Sequence, residues 1–135
     1  MGNITVNNKK SGNRFEAEFC EILAGDGFWA HLMASRFAGQ PADVIAARNE
    51  KAYLIDCKVC ENDVFPLIRI EDNQHMAMQL WRARGNGAGW FALKTSRGIY
   101  MISYRSLENY KEKKQLNIQD IVGLGEIYED WRDIR

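Results

Sequence analysis

The chain has 135 residues, 46% of them hydrophobic, and no formal net charge. That length and apolar content suit one domain around one core, and no run reaches the roughly 18 uninterrupted apolar residues of a membrane span. Three cysteines, an odd number with two of them in one predicted strand, do not look like a disulfide framework.

The chain opens on a Gly/Asn/Lys-rich stretch, residues 1–12, which reads as a flexible arm. It lacks a signal peptide's hydrophobic region, so a soluble cytoplasmic protein is expected. Asn13 to Ala24 carries Phe15, Phe19, Ile22 and Leu23 at helical spacing and stops at Gly25. Strands are expected over Phe28 to Met33, Ala42 to Arg48 and Ala52 to Cys60. Asp72 to Ala83 reads as a second helix, Gly85 to Gly89 as a loop, and Trp90 to Thr95 and Ile99 to Tyr104 as two strands joined at Arg97-Gly98. A core over residues 13–105 is thus a mixed α/β domain, a mixed β-sheet flanked by helices. Residues 106–135 read as one short helix and a loosely attached acidic tail. Within it, residues 115–135 hold five acids against two bases, leaving a mildly basic body with sixteen bases and thirteen acids.

The turn at Asn49-Glu50 sets the register of a hairpin. If those are the two loop residues, Arg48 faces Lys51 and outward counting brings Asp43 opposite Asp56. Side chains alternate along a strand, so Asp56 and Lys58 share a face and Cys57 takes the other. Two carboxylates about 4 Å apart repel by roughly 4 kcal/mol at an effective dielectric of about 20, which a divalent cation would offset. Oxygen ligands in this number favour a hard ion such as magnesium or manganese. One aspartate and one Asp-x-Lys triplet arise easily by chance, but Tyr53, Leu54 and Ile55 make this strand apolar, where unpaired charge is expensive. A structural ion pair between Asp56 and Lys58 at a sheet edge is the alternative reading.

Asp43, Asp56-Cys57-Lys58 and an upstream helical glutamate resemble the PD-(D/E)xK nuclease signature, which implies a restriction-endonuclease-like core. The resemblance is closest to RecU-like Holliday junction resolvases, with the archaeal junction resolvases as a more distant likeness. Gly12-Asn13-Arg14-Phe15-Glu16 is similar to the first-helix segment of these enzymes, and Pro41-Ala42-Asp43 to the motif before the first aspartate. Phe65-Pro66-Leu67 followed by Gln74-His75 resembles the stretch after the catalytic lysine in the RecU group. The resemblance implies that Asp43, Asp56, Glu16 and the Cys57 backbone carbonyl hold magnesium, with manganese as a substitute. It implies that Lys58 orients or activates the attacking water and that Gln74 positions water or the scissile phosphate. Glu18 competes for the role of Glu16, but Glu16 lies beside the apolar pair Phe15 and Phe19, with Glu18 about 200° away around the helix. Gln74 shares a face with Ala77, Met78 and Trp81, which turns it inward, although it also reads as an ordinary first-turn polar residue.

The expected function is a metal-dependent endonuclease acting on branched DNA, a Holliday junction resolvase with no small-molecule substrate and no membrane. The alternatives are a PD-(D/E)xK nuclease acting on other DNA structures, or a catalytically silent DNA-binding domain on the same fold. Junction specificity is weakened by the short segment between Asp43 and Asp56, by the lack of a strongly basic insertion and by the acidic tail. Candidate phosphate contacts are Lys9, Lys10, Arg14, Arg36, Arg69, Arg82, Arg84 and Lys94. Two opposed incisions call for a two-fold homodimer, with Phe28, Trp29, Phe37, Phe65 and Ile68 as candidate interface residues that a monomer core would equally bury. Trp29, Trp81 and Trp90 are expected in the core, and Trp131 is expected to fasten the tail. Cys57-Lys58-Val59-Cys60 has zinc spacing without a second ligand pair, and the glycine loop at 85–89 follows a helix rather than opening one, so neither is read as a site. His31 and His75 are too scattered for a histidine metal site, and His75 could touch substrate beside Gln74.

Overall fold

The computed structural model describes residues 2–33 and 42–135, with side chains described for 14–33 and 42–135. In chain order the elements are α1 (Gly2–Gly25), β1 (Trp29–Leu32), β2 (Val44–Arg48), β3 (Lys51–Val59), β4 (Phe65–Pro66), α2 (Asp72–Ala83) and β5 (Trp90–Thr95). They continue with β6 (Gly98–Ser103), α3 (Tyr104–Glu108), β7 (Gln115–Leu116), α4 (Ile118–Leu124), β8 (Glu126–Ile127) and α5 (Tyr128–Asp133). Six strands form one mixed sheet in the order β1-β2-β3-β5-β6-β8, and β4 pairs with β7 beside it. Only β3 and β5 run parallel among the described pairs, and α2 makes the crossover that such a pair requires.

The hairpin register follows from its turn. Asn49 and Glu50 both adopt positive φ, 53° and 66°, which matches the right-handed twist of the flanking strands. Arg48 therefore pairs with Lys51, and the ladder closes at Val44 opposite Ile55. Asp43 lies one residue beyond the ladder, its N–H donating to the Ile55 carbonyl at 3.1 Å.

Alternation along β3 then divides the core. Tyr53, Ile55 and Cys57 pack with Phe15, Phe19 and Leu23 of α1 and with Tyr128 and Trp131 of α5. Leu54 belongs to the opposite layer, with Met78 of α2, Phe91 and Leu93 of β5 and Tyr104 of α3. Asp56 and Lys58 share the face of Leu54 and so point toward α2.

Four expectations change here. The first helix starts at Gly2 rather than Asn13, so backbone expected in a flexible arm is helical. Residues 106–135 do not hang loosely: they hold the end of α3 and two further short helices, and the Trp131 ring is fully buried against Phe28 (5.7 Å), Tyr53 (5.3 Å) and Trp90 (5.7 Å). Polar contacts fasten the same segment. Arg48 donates to the Asp26 carbonyl at 2.9 Å and to the Arg132 carbonyl, and Asp26 pairs with Arg132 at 3.2 Å. Trp29 is 64% exposed rather than core, because β1 is the outermost strand. Of the interface candidates, Phe28 and Phe65 are buried in the monomer, Ile68 is 90% exposed, and Phe37 lies outside the described residues.

Candidate active site

Asp56 sits near the end of β3, buried, where a bare carboxylate is costly. Its Oδ1 accepts from Gln74 Nε2 at 3.2 Å. Its Oδ2 lies 3.2 Å from Lys58 Nζ and forms an ion pair with it. Lys58 Nζ also donates to Gln74 Oε1 at 3.4 Å. Gln74 is held in turn by its place in the first turn of α2, where it accepts from the Glu71 N–H at 3.0 Å in a capping box.

Asp43 approaches from the start of β2. Its Oδ2 accepts from the Cys57 N–H at 2.7 Å, which fixes the first aspartate to the strand that carries the second. Glu16 reaches the same place from α1. Burial first, then the charge of Asp43, pushes Glu16 up to about 7, with Lys58 acting in the opposite direction. Burial and then Asp43 raise Asp56 as well, again against Lys58. Asp43 thus acts on both of its carboxyl neighbours, Glu16 and Asp56, in the same upward direction.

Glu16, Asp43, Asp56, Lys58 and Gln74 therefore converge on one end of the sheet, drawn from α1, β2, β3 and α2. Three carboxyl groups set against one lysine, with Asp56 buried, fit a hard divalent cation. The site is not a preformed cage: among the described residues no group of three or more His, Cys, Asp or Glu side chains is arranged to hold a metal ion. Cys57 turns its thiol into the apolar layer, where burial raises its pKa, and burial pushes Cys60 up to about 12, so neither behaves as a ready thiolate. Its backbone N–H, which steadies Asp43, is the contribution of Cys57 that sequence reasoning missed; a backbone donor leaves no mark in side-chain pattern.

The basic candidates divide. Lys94 pairs across the sheet with Val59 at the site's end of β3, forms an ion pair with Glu18 at 3.3 Å and lies 5.5 Å from the Phe15 ring. Arg69 donates to the Val59 carbonyl at 2.7 Å, so both cations flank the site. Arg82 forms a two-pronged bond with Glu108 at 3.0 and 3.2 Å, and Arg84 is exposed; both stand at the far end of α2, about 12–15 Å along its axis from Gln74. Arg14 is exposed on α1, and Lys9, Lys10 and Arg36 lie outside the described side chains.

The family model of the archaeal Holliday junction resolvases (Hjc) matches residues 7–130. The fold is similar to that of the solved structure of Hjc, a Holliday junction resolvase from the archaeal hyperthermophile Archaeoglobus fulgidus. The two align at 19% identity over 90% of this chain and 99% of that one, with a TM-score of 0.69. No curated protein matches the chain.

Proposed function

The chain belongs to the archaeal Holliday junction resolvase family and is a Holliday junction resolvase, an endonuclease of the PD-(D/E)xK superfamily; we propose that it cuts branched DNA with magnesium, or manganese in its place, as a two-fold homodimer. Resolvases of this family depend on divalent metal ions in general. The observation that carries the choice of a hard ion is the gathering of carboxyls around buried Asp56, where Asp43 raises both Glu16 and Asp56 and Lys58 is the one cation set against them.

The ligands in this reading are Asp43 and Asp56, with Glu16 and the Cys57 carbonyl completing the oxygen set. The ion supplies polarisation of a phosphoryl oxygen and a lowered pKa for the attacking water. Lys58 holds positive charge beside the scissile phosphate, where negative charge develops, and orients the water. Gln74 fixes both partners, since it donates to Asp56 and accepts from Lys58. Arg69 and Lys94 are placed to neutralise flanking phosphates. Arg14, Arg82, Arg84, Lys9, Lys10 and Arg36 are proposed phosphate contacts farther out.

Two incisions in opposed strands need two copies of this single constellation, which favours a symmetric pair. Met76 and Leu80, one turn apart on the outer face of α2, are exposed, as are Ile68 just before it and Trp29 on the edge strand. An apolar set of this kind suits a subunit interface. Among the described residues no helix is long and apolar enough to cross a membrane, and a DNA-acting enzyme is placed by this reading in the cytoplasm. Cleavage of four-way junctions, flaps, linear duplex and single strands with and without added magnesium tests the proposal; equal rates on all four, or cleavage without metal, would overturn it.

A further inference from the structure

On the flank of α2, one residue past Gln74, a cleft of about 340 Å³ opens between that helix and α3. Leu67, Ile70 and Leu107 supply apolar walls, and the buried Tyr104 lies among its lining residues. Tyr104 is held by two side chains spaced i, i+4 on α2. Gln79 Nε2 donates to its hydroxyl at 3.3 Å, and His75 Nδ1 lies 2.8 Å from it. Either tautomer leaves His75 Nε2 available, as a donor when Nδ1 accepts the tyrosine proton and as an acceptor when Nδ1 donates, and leaves Gln79 Oε1 as an acceptor. Neither has a partner among the described residues.

Glu108 is tied up by Arg82, and Lys111 at the lining leaves the cleft with one positive charge, which suits a ligand carried on a phosphate backbone. Leucine, isoleucine and tyrosine walls beside polar side chains suit a planar heterocycle with a hydrogen-bonding edge. The volume lies at the small end of the range for ligand pockets, roughly 300–1,000 Å³, which suits a single ring system.

We propose that this cleft receives one unstacked nucleobase of the branched DNA, from the strand presented to the active site, and that His75 and Gln79 read its edge. The inference rests on the resolvase reading and adds a substrate contact to it. His75 and Gln74 are consecutive, with Cα atoms about 3.8 Å apart, so one turn of helix faces both the scissile phosphate and the cleft. Extruding a base costs least where pairing is already broken, and a branch point supplies such bases. A free nucleoside has the same chemistry, but contiguity with Gln74 favours a base carried by the strand.

The test uses the full chain without added divalent metal and four-way junctions carrying 2-aminopurine at single positions around the branch. Wild type is expected to change the fluorescence at one such position. Gln79→Trp, a substitution at an exposed rim position that fills the slot, is expected to abolish that response and to weaken junction binding about tenfold while sparing linear duplex. His75→Ala and Gln79→Ala should each weaken the response, with melting temperatures tracking the wild type. No responsive position, or an equal response from Gln79→Trp, overturns the inference. Binding of free deoxynucleosides while no DNA position responds also overturns it, since the cleft would then serve a free ligand. If wild type fails to shift junction DNA in a gel, the resolvase reading fails and takes this inference with it.

Discussion

Gln74 donates to Asp56 Oδ1 at 3.2 Å while its own Oε1 accepts from the Glu71 N–H at 3.0 Å, so one side chain both caps α2 and holds the buried carboxylate of β3. Gln74→Ala removes both bonds and leaves Asp56 Oδ1 without a donor. Stability should fall by about 1 to 3 kcal/mol, and metal affinity by about 10- to 100-fold. Urea unfolding and calorimetric titration with manganese measure the two effects, and unchanged metal affinity would show that Gln74 serves only as a cap.

The raised carboxyls give the metal-free protein a pH signature. Glu16 moves from its ordinary 4.5 to about 7 in the fold, so between those values the native state holds a proton that the unfolded chain has released. Stability from this group is fully present below about pH 4.5 and is lost as pH rises through about 7. Melting temperature in a chelator should therefore decline across that window, and Glu16→Gln should flatten part of the decline. Saturating magnesium should remove it too, by neutralising the same charges.

Trp131 anchors the C-terminal segment by stacking on or abutting four rings, those of Phe28, Tyr53, Trp90 and Tyr128. Trp131→Ala should cost about 3 to 5 kcal/mol. Deletion of residues 126–135 should unfold the protein at ordinary temperatures rather than simply raise its affinity for DNA. A truncated chain with native circular dichroism and a cooperative melt would contradict this packing.

Subunit pairing is tested on α2. Leu80 is exposed, so Leu80→Glu should change monomer stability by no more than about 0.5 kcal/mol. Sedimentation should report a monomer, and junction products should change from paired cuts to single nicks. A dimer that survives this change together with Met76→Glu would move the interface elsewhere.

The placement of the candidate site residues is legible in the sequence where geometry is local. Asn49-Glu50 fixed the turn, alternation placed Asp56 with Lys58, and apolar spacing from Met78 to Trp81 turned Gln74 inward. The family that matches is the archaeal one, which the motifs had suggested as the more distant likeness. The packing of the C-terminal segment is hidden in the sequence because acids dominate its composition, although Ile121, Leu124, Tyr128 and Trp131 recur at helical spacing and carry the signal. Trp29 looked like core because nothing local marks an edge strand. The engagement of Lys94 by Glu18, of Arg82 by Glu108 and of Asp43 by the Cys57 N–H depends on tertiary contacts that span many residues of sequence.

Asp56, buried beside Lys58, is the carboxylate on which the proposed metal site depends. Asp56→Asn keeps the shape of the side chain and removes the charge that a bound cation would need. The decisive measurement is the rate of four-way junction cleavage in magnesium for wild type and Asp56→Asn, alongside gel-shift affinity and melting in chelator. Wild type should make paired incisions, and the variant should lose cleavage while binding the junction normally and melting a few degrees higher without metal. Cleavage by Asp56→Asn at a rate near wild type would contradict the assignment of this site.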